Sequence, residues 1–294
     1  MYEQGIKDFS AIELHGVDLS QCLLIEVNFQ DAKLMGVNFS RAFLTKSNLY
    51  RASLNWADLS FVKLSEGNLI KADLTKANLT GAFLVNSQLN QAQLTGANLS
   101  YSNLRKADLS EANLCGANLK RVNLRDANLT KVNLDWCNLS EGRLNCANLS
   151  KVSANNTNLV NAFVKEADLS NANFEFANLT GIRLTGANLV NINLRGANLE
   201  NARLCQVNLA NADLTGANLS GAALEMANLT GANLTNTNLQ SANLSGAKLS
   251  HTNLDNSCLD NTILPESHRN NLLILSWNHQ PDIYPNFPLR FQTG

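Results

Sequence analysis

A period of five residues runs without interruption through most of this chain. From Phe9 to Leu264 it gives 52 central positions, 46 of them Leu and the others Phe9, Phe29, Phe39, Ala154, Val164 and Phe174. A helix repeats its faces every ~3.6 residues and a simple strand every ~2.0, so neither keeps such a column on one side. The chain therefore has to turn once per repeat. Two residues before each centre stands a small or β-branched residue, most often Ala, with Lys7 the only charged case. Both positions read as buried.

If each pentapeptide forms one side of a square, four make a 20-residue coil in which buried Leu and Ala alternate with outward polar residues. Stacked coils at the inter-strand spacing of ~4.8 Å predict about 13 coils and a rod of ~60 Å. Proline is absent from residues 1 to 264 and first appears at Pro265. That suits a chain whose amides are needed for a ladder between coils.

The repeats, as in ADLSE-ANLCG-ANLKR-VNLRD-ANLTK over 107–131, place Asn or Asp before the centre and often Ser or Thr after it. This pattern resembles the pentapeptide-repeat family, A(D/N)LXX, over residues 9 to 264. The resemblance implies an all-β fold, a right-handed quadrilateral β-helix; the handedness comes from the family alone. Asn and Asp at that position suit side-chain bonding to the turning backbone.

Three segments follow: an N-terminal cap over 1–8, the β-helix over 9–264, and a C-terminal cap with a proline-containing tail over 265–294. An open solenoid end invites association unless covered. The run ESHRNNLLILSW (266–277) can begin a short helix with Ser267 as N-cap, presenting Leu272, Leu273, Leu275 and Trp277. These four are read as capping residues, or alternatively as a dimer contact, because quinolone-resistance members of the resembled family dimerise through C-terminal elements. The protein is thus a monomer or a C-terminally mediated dimer. The prolines of 280–294 favour extended chain.

No stretch of about 18 apolar residues and no signal-peptide pattern is present, so a cytoplasmic location with no membrane partner is expected. The six cysteines form no Cys-x-x-Cys pair and carry no His at metal spacing, which predicts free thiols and no metal. The four histidines, His15, His251, His268 and His279, stand near the ends of the chain with no carboxylate or serine arrangement that repeats a known site. Phosphate-binding loops are missing as well. A smooth, Leu-filled rod offers no concave, water-excluding site, so no enzymatic activity and no cofactor are expected.

Because the register never slips, each face reads as a column of residues 20 apart. The residue before the centre is Asn or Asp in 11 of 13 cases for the Phe9 series, 8 of 13 for the Leu14 series and 12 of 13 for the Leu19 series. In the Leu24 series only Asn103, Asn123 and Asn243 keep the rule. Elsewhere that column carries Phe43, Lys63, Phe83, Arg143, Phe163, Arg183 and Arg203, with Arg105, Arg125 and Lys165 beside it. Over residues 102–106 through 202–206 the face has seven cations and two acids, net +5. Arg and aromatic residues are enriched at binding hot spots, so these ten are the candidate partner-binding residues. The competing reading is structural: Arg stems cover the rod, Phe163 spaces Arg143 from Arg183, and Asp126 and Glu166 neutralise the rest. Phe61, Tyr101, Trp56, Trp136 and Phe176 read as corner covers rather than pocket walls.

The favoured function is a non-enzymatic, regulatory protein-interaction rod, a reading that fits the resembled family's regulatory members in photosynthetic bacteria. The family's quinolone-resistance members mimic DNA and bind type II topoisomerase, but DNA gyrase is disfavoured as a partner here. Duplex DNA of ~60 Å carries roughly 35 charges, whereas the most acidic face, the Leu14 series, sums to −3 and the whole chain to −1. A direct nucleic-acid contact through the basic stripe would be weak and salt-sensitive. Ice binding would need an uninterrupted Thr ladder, which no column has.

Overall fold

In the computed structural model residues 5–266 are described. The expected capping or dimer segment, with Leu272, Leu273, Leu275 and Trp277, lies outside them, as do residues 1–4 of the N-terminal cap. Every bridge in the described chain is parallel and joins a residue to the one 20 positions on, from Asp8↔Asn28 to Asn243↔Ile263. One coil therefore takes four repeats, and the four columns read from the sequence are four stacks of bridged residues. The chain winds as a β-helix whose strands are reduced to single bridged residues between turns.

Repeats with Asn or Asp before the centre satisfy their amides by a fixed scheme, seen in the first two coils. The central amide donates to the next coil, as Phe9 to the Asn28 carbonyl at 2.7 Å, and Asn28 returns a bond to the Lys7 carbonyl at 2.8 Å. Two residues after the centre the amide also donates forward, Ala11 to the Gln30 carbonyl at 2.8 Å, and the next closes a turn, Ile12 to Phe9 at 3.3 Å. Only the amide just after the centre has no backbone acceptor. It is taken by the side-chain oxygen before the centre: Ser10 donates to Asp8 Oδ1 at 3.0 Å and Gln30 to Asn28 Oδ1 at 3.1 Å. This bond from the following backbone amide is the largest influence holding the carboxyls of Asp8 and Asp18 below their ordinary value of 3.8.

The Asn amide group then has its own use. Asn48 donates to Asn28 Oδ1 and Asn68 to Asn48 Oδ1, both at 2.9 Å, so the Phe9-series face carries a side-chain ladder beside the backbone one. The two functions explain why Asn outnumbers Asp there: Asp has no donor, and a column of Asp would repel itself.

The turn residue two places after each centre sits in the left-handed region, near φ +60, whether it is Gly81 or Lys76. No Val, Ile, Thr or Pro occupies this position between Ala11 and Asn261, in keeping with the clash that β-branched side chains suffer there. Inside, the Leu column and the small column are buried from Leu24 to Leu249. Polar residues in the small column are satisfied: the hydroxyls of Ser47, Ser87, Thr157 and Thr237 donate to carbonyls 23 residues back. Cys137 does the same with Leu114, and burial pushes its thiol up to about 12, which keeps it a neutral donor. Near the ends Phe9, Leu14, Leu19, Leu254 and Leu259 are only partly buried, as expected of outer coils.

Candidate interaction face

The Leu24-series face is built on the same Leu column as the others, so its outer residues are placed by the ladder rather than by packing of their own. Leu23, Phe43, Lys63, Phe83, Asn103, Asn123, Arg143, Phe163, Arg183 and Arg203 are bridged in succession. Arg183 and Arg203, members of that column 20 residues apart, stand directly opposite each other in neighbouring coils. Where the Asn is replaced, the amide after the centre loses its usual acceptor. The amides of Thr45, Ser65, Val85 and Thr185 have none among the described residues, while those of Arg105 and Arg125 keep theirs through Asn103 and Asn123.

Charge is partly compensated, and unevenly. Arg125 pairs with Asp126 at 3.8 Å and Lys165 with Glu166 at 3.1 Å, the two acids expected to neutralise this face. Arg105, Arg143, Arg183 and Arg203 have no carboxylate partner among the described residues. The Arg183 guanidinium lies 4.5 Å from the Phe163 ring centre, and Lys63 Nζ lies 3.3 Å from that of Phe83. Phe163 thus contacts Arg183 on one side, half of the spacer role read from the sequence.

Contrary to the expected smooth surface, this face is dished. One shallow depression of about 480 Å³ is walled by Phe43, Lys63 and Phe83 together with Gln21, Arg41 and Phe61. Another of about 360 Å³ gathers Arg105, Arg125, Arg143 and Phe163 around Asn123 and Asn145. A third, about 550 Å³, shares Arg143, Phe163 and Arg183 with the corner residues Tyr101, Arg121, Glu141 and Asn161. Eight of the ten candidate residues line these depressions; Lys165 and Arg203 line none of the three.

The corner column preceding the face is what the sequence reading missed. Phe61 and Tyr101, read as corner covers, form depression walls, and so do Arg41 and Arg121. Arg121 is held by Glu141 at 2.7 Å, and the hydrogen bond to that carboxylate raises the guanidinium above its ordinary value. The signal was available: these residues keep the 20-residue register and sit at the left-handed turn that tips a side chain along the rod. At Gly81, directly below Phe61, an added Cβ would stand 2.6 Å from Phe61 Cε1. The glycine makes room for the ring.

Six free cysteines are spread over the described coils, no group of three or more His, Cys, Asp or Glu there is arranged to hold a metal, and no described helix is long and apolar enough to cross a membrane. The fold and this face define a repeat solenoid that presents long, regular outer columns. The Pentapeptide repeats family matches in successive, partly overlapping segments from residue 12 to residue 264, and the chain belongs to that family, whose β-helix is right-handed. HetL, a pentapeptide repeat protein involved in heterocyst differentiation regulation in the cyanobacterium Nostoc sp. strain PCC 7120, is 30% identical over 90% of this chain and 94% of its own, with a TM-score of 0.31. QnrB1, a plasmid-mediated fluoroquinolone resistance protein, is 20% identical over 72% of this chain and 95% of its own, TM-score 0.39. A pentapeptide repeat protein of the cyanobacterium Cyanothece 51142, Rfr23, is 44% identical over 35% of this chain and 63% of its own, TM-score 0.16. No curated protein sequence gives a significant match.

Proposed function

We propose that this protein is a non-enzymatic interaction rod of about 13 coils that regulates a protein partner by binding it through the Leu24-series face. Residues 1–8 and 265–294 serve as its end segments, the latter as a cap or dimer contact, and six unpaired thiols suit a cytoplasmic location. One observation carries the reading: the column that elsewhere serves the backbone is given over, on this face alone, to Phe and to Arg without carboxylate partners. Local rules of this kind are broken at functional sites more than elsewhere. The involvement of HetL in regulation of differentiation gives the regulatory role a precedent in the family.

The test replaces Arg143, Arg183 and Arg203 together with Ser. β-Sheet circular dichroism is expected to be unchanged, since all three are exposed, while affinity capture with the whole chain as bait loses its specific partner. An unchanged partner list with an intact fold overturns the proposal. A gyrase supercoiling assay run beside it is expected to show no protection from a quinolone; protection would move the function to a topoisomerase.

A further inference from the structure

The interaction face is chemically divided along the rod, and we infer from that division that its partner is an extended acidic peptide segment with a large apolar side chain at the end lying toward the N-terminal coils. The inference rests on the docking reading above and adds the class and layout of what is docked. Near the N-terminal end the depression is walled by three half-exposed rings, Phe43 at 45%, Phe61 at 47% and Phe83 at 39%. Its cations are engaged with rings: Lys63 lies over Phe83 and Arg41 lies 5.6 Å from the Phe61 centre. This part offers an apolar, cation-rimmed seat for one bulky side chain.

Beyond Phe83 the character reverses. Arg105, Arg125 and Arg143 converge on one depression, Arg143 and Arg183 on the adjoining one, and two rings stand among them, Phe163 and the corner residue Tyr101. Of these, Arg105, Arg143 and Arg183 have no carboxylate partner among the described residues, and their guanidinium forks fit the side-chain carboxylates of Asp and Glu. The like-charge stack of Arg183 on Arg203 is relieved when a carboxylate binds across it.

The dimensions set the length of the segment. From the coil of Phe43 to that of Arg203 is eight coil steps, about 38 Å at ~4.8 Å per step, which an extended peptide covers with about 11 or 12 residues. A single-stranded nucleic acid suits the layout less well. It alternates phosphate and base at every nucleotide and needs rings interleaved with cations along the whole groove, whereas three of the five rings lining the depressions gather at one end and Asp126, Glu141 and Glu166 stand within the basic part.

Three fluorescein-labelled probes test this by anisotropy with the full chain. The first is an acidic peptide of about 12 residues carrying one terminal Trp, the second has Ser in place of Trp, and the third is an oligodeoxythymidylate of about the same length. The Trp peptide is expected to bind about tenfold or more tighter than the Ser peptide, as loss of one buried hot-spot ring implies. Phe43→Ser with Phe83→Ser should erase that difference and leave a weaker, salt-sensitive binding; Arg105→Ser with Arg143→Ser and Arg183→Ser should weaken both peptides. Circular dichroism checks that each variant keeps the fold.

Equal binding of the two peptides, no binding of either, or tighter binding of the oligonucleotide overturns the inference. If it fails in any of these ways while the arginine substitutions still remove the captured partner, the docking face stands and only this account of its ligand falls. If the capture is also unmoved, the face itself is not the docking surface.

Discussion

The Phe9-series and Leu24-series faces share one Leu core, one coil pitch and one backbone ladder, yet differ in what stands before each centre. On the first, Asn and Asp close the amide that the backbone scheme leaves open and bond coil to coil. On the second, Phe, Lys and Arg take that place and several amides are left without an internal acceptor. The bridges pass through both without a change of offset. The comparison teaches that the Leu column and the backbone ladder suffice for the fold. The Asn ladder adds stability, and a face that gives it up is free to carry other chemistry.

The largest expected effect tests that separation. Asn48 accepts from the Tyr50 amide at 3.1 Å and from Asn68 Nδ2, and donates to Asn28 Oδ1, both at 2.9 Å. Asn48→Ala removes all three bonds and should cost about 1–3 kcal/mol, at about 0.5–1.5 kcal/mol net per bond with partial compensation by water. Arg143→Ala, at the equivalent place on the other face, should stay within about 0.5 kcal/mol. Urea unfolding ranks the two. Because repeat arrays need not unfold as one unit, hydrogen exchange at the Tyr50 amide supplies a local reading. Equal costs would mean that the side-chain ladder does not distinguish the faces.

Most of this architecture was legible in the sequence because the repeat states it 52 times over. The unbroken spacing from Phe9 to Leu264 gives the columns, and the bridges reproduce them residue for residue, Arg183 opposite Arg203 included. The depressions were not legible, for a physical reason. Column reading says which residues stack but not how far a corner side chain leans over the neighbouring coil. Phe61 and Tyr101 were assigned to corners correctly, yet their rings are long enough to wall the adjacent face. The signal that would have shown this for Phe61 is Gly81, 20 residues on, where the missing side chain leaves the ring room to lie down.

That pairing gives the second, smaller effect. Gly81 and Gly116 both sit at positive φ, +64 and +68, but an added Cβ meets Phe61 at the first and nothing within 4 Å at the second. Gly116→Ala should cost about 1 kcal/mol for the backbone alone. Gly81→Ala should cost the same plus about 0.5–1.5 kcal/mol for driving the ring from its rotamer. In a Phe61→Ser background the excess should vanish, and chemical-denaturation midpoints of the four chains measure it. If the excess persists without the ring, the glycine serves the turn and not the wall of the depression.

The smallest expected effect has the opposite sign and bears most directly on why the two faces differ. Arg203→Asn would give the basic face a residue of the kind the Phe9-series face uses. It supplies an acceptor for the following amide, as Asn103 does for Arg105 at 3.2 Å, and it ends the stacking of Arg203 on Arg183. Together these should stabilise the rod by about 0.2–1 kcal/mol. High salt should shrink the gain, because it screens the like-charge part and leaves the hydrogen bond. A midpoint that stays put or falls at low salt would show that the arginine stack carries no cost. A rise means that the native sequence gives up stability for a cation at this place, the pattern expected where binding rather than folding sets the choice of residue.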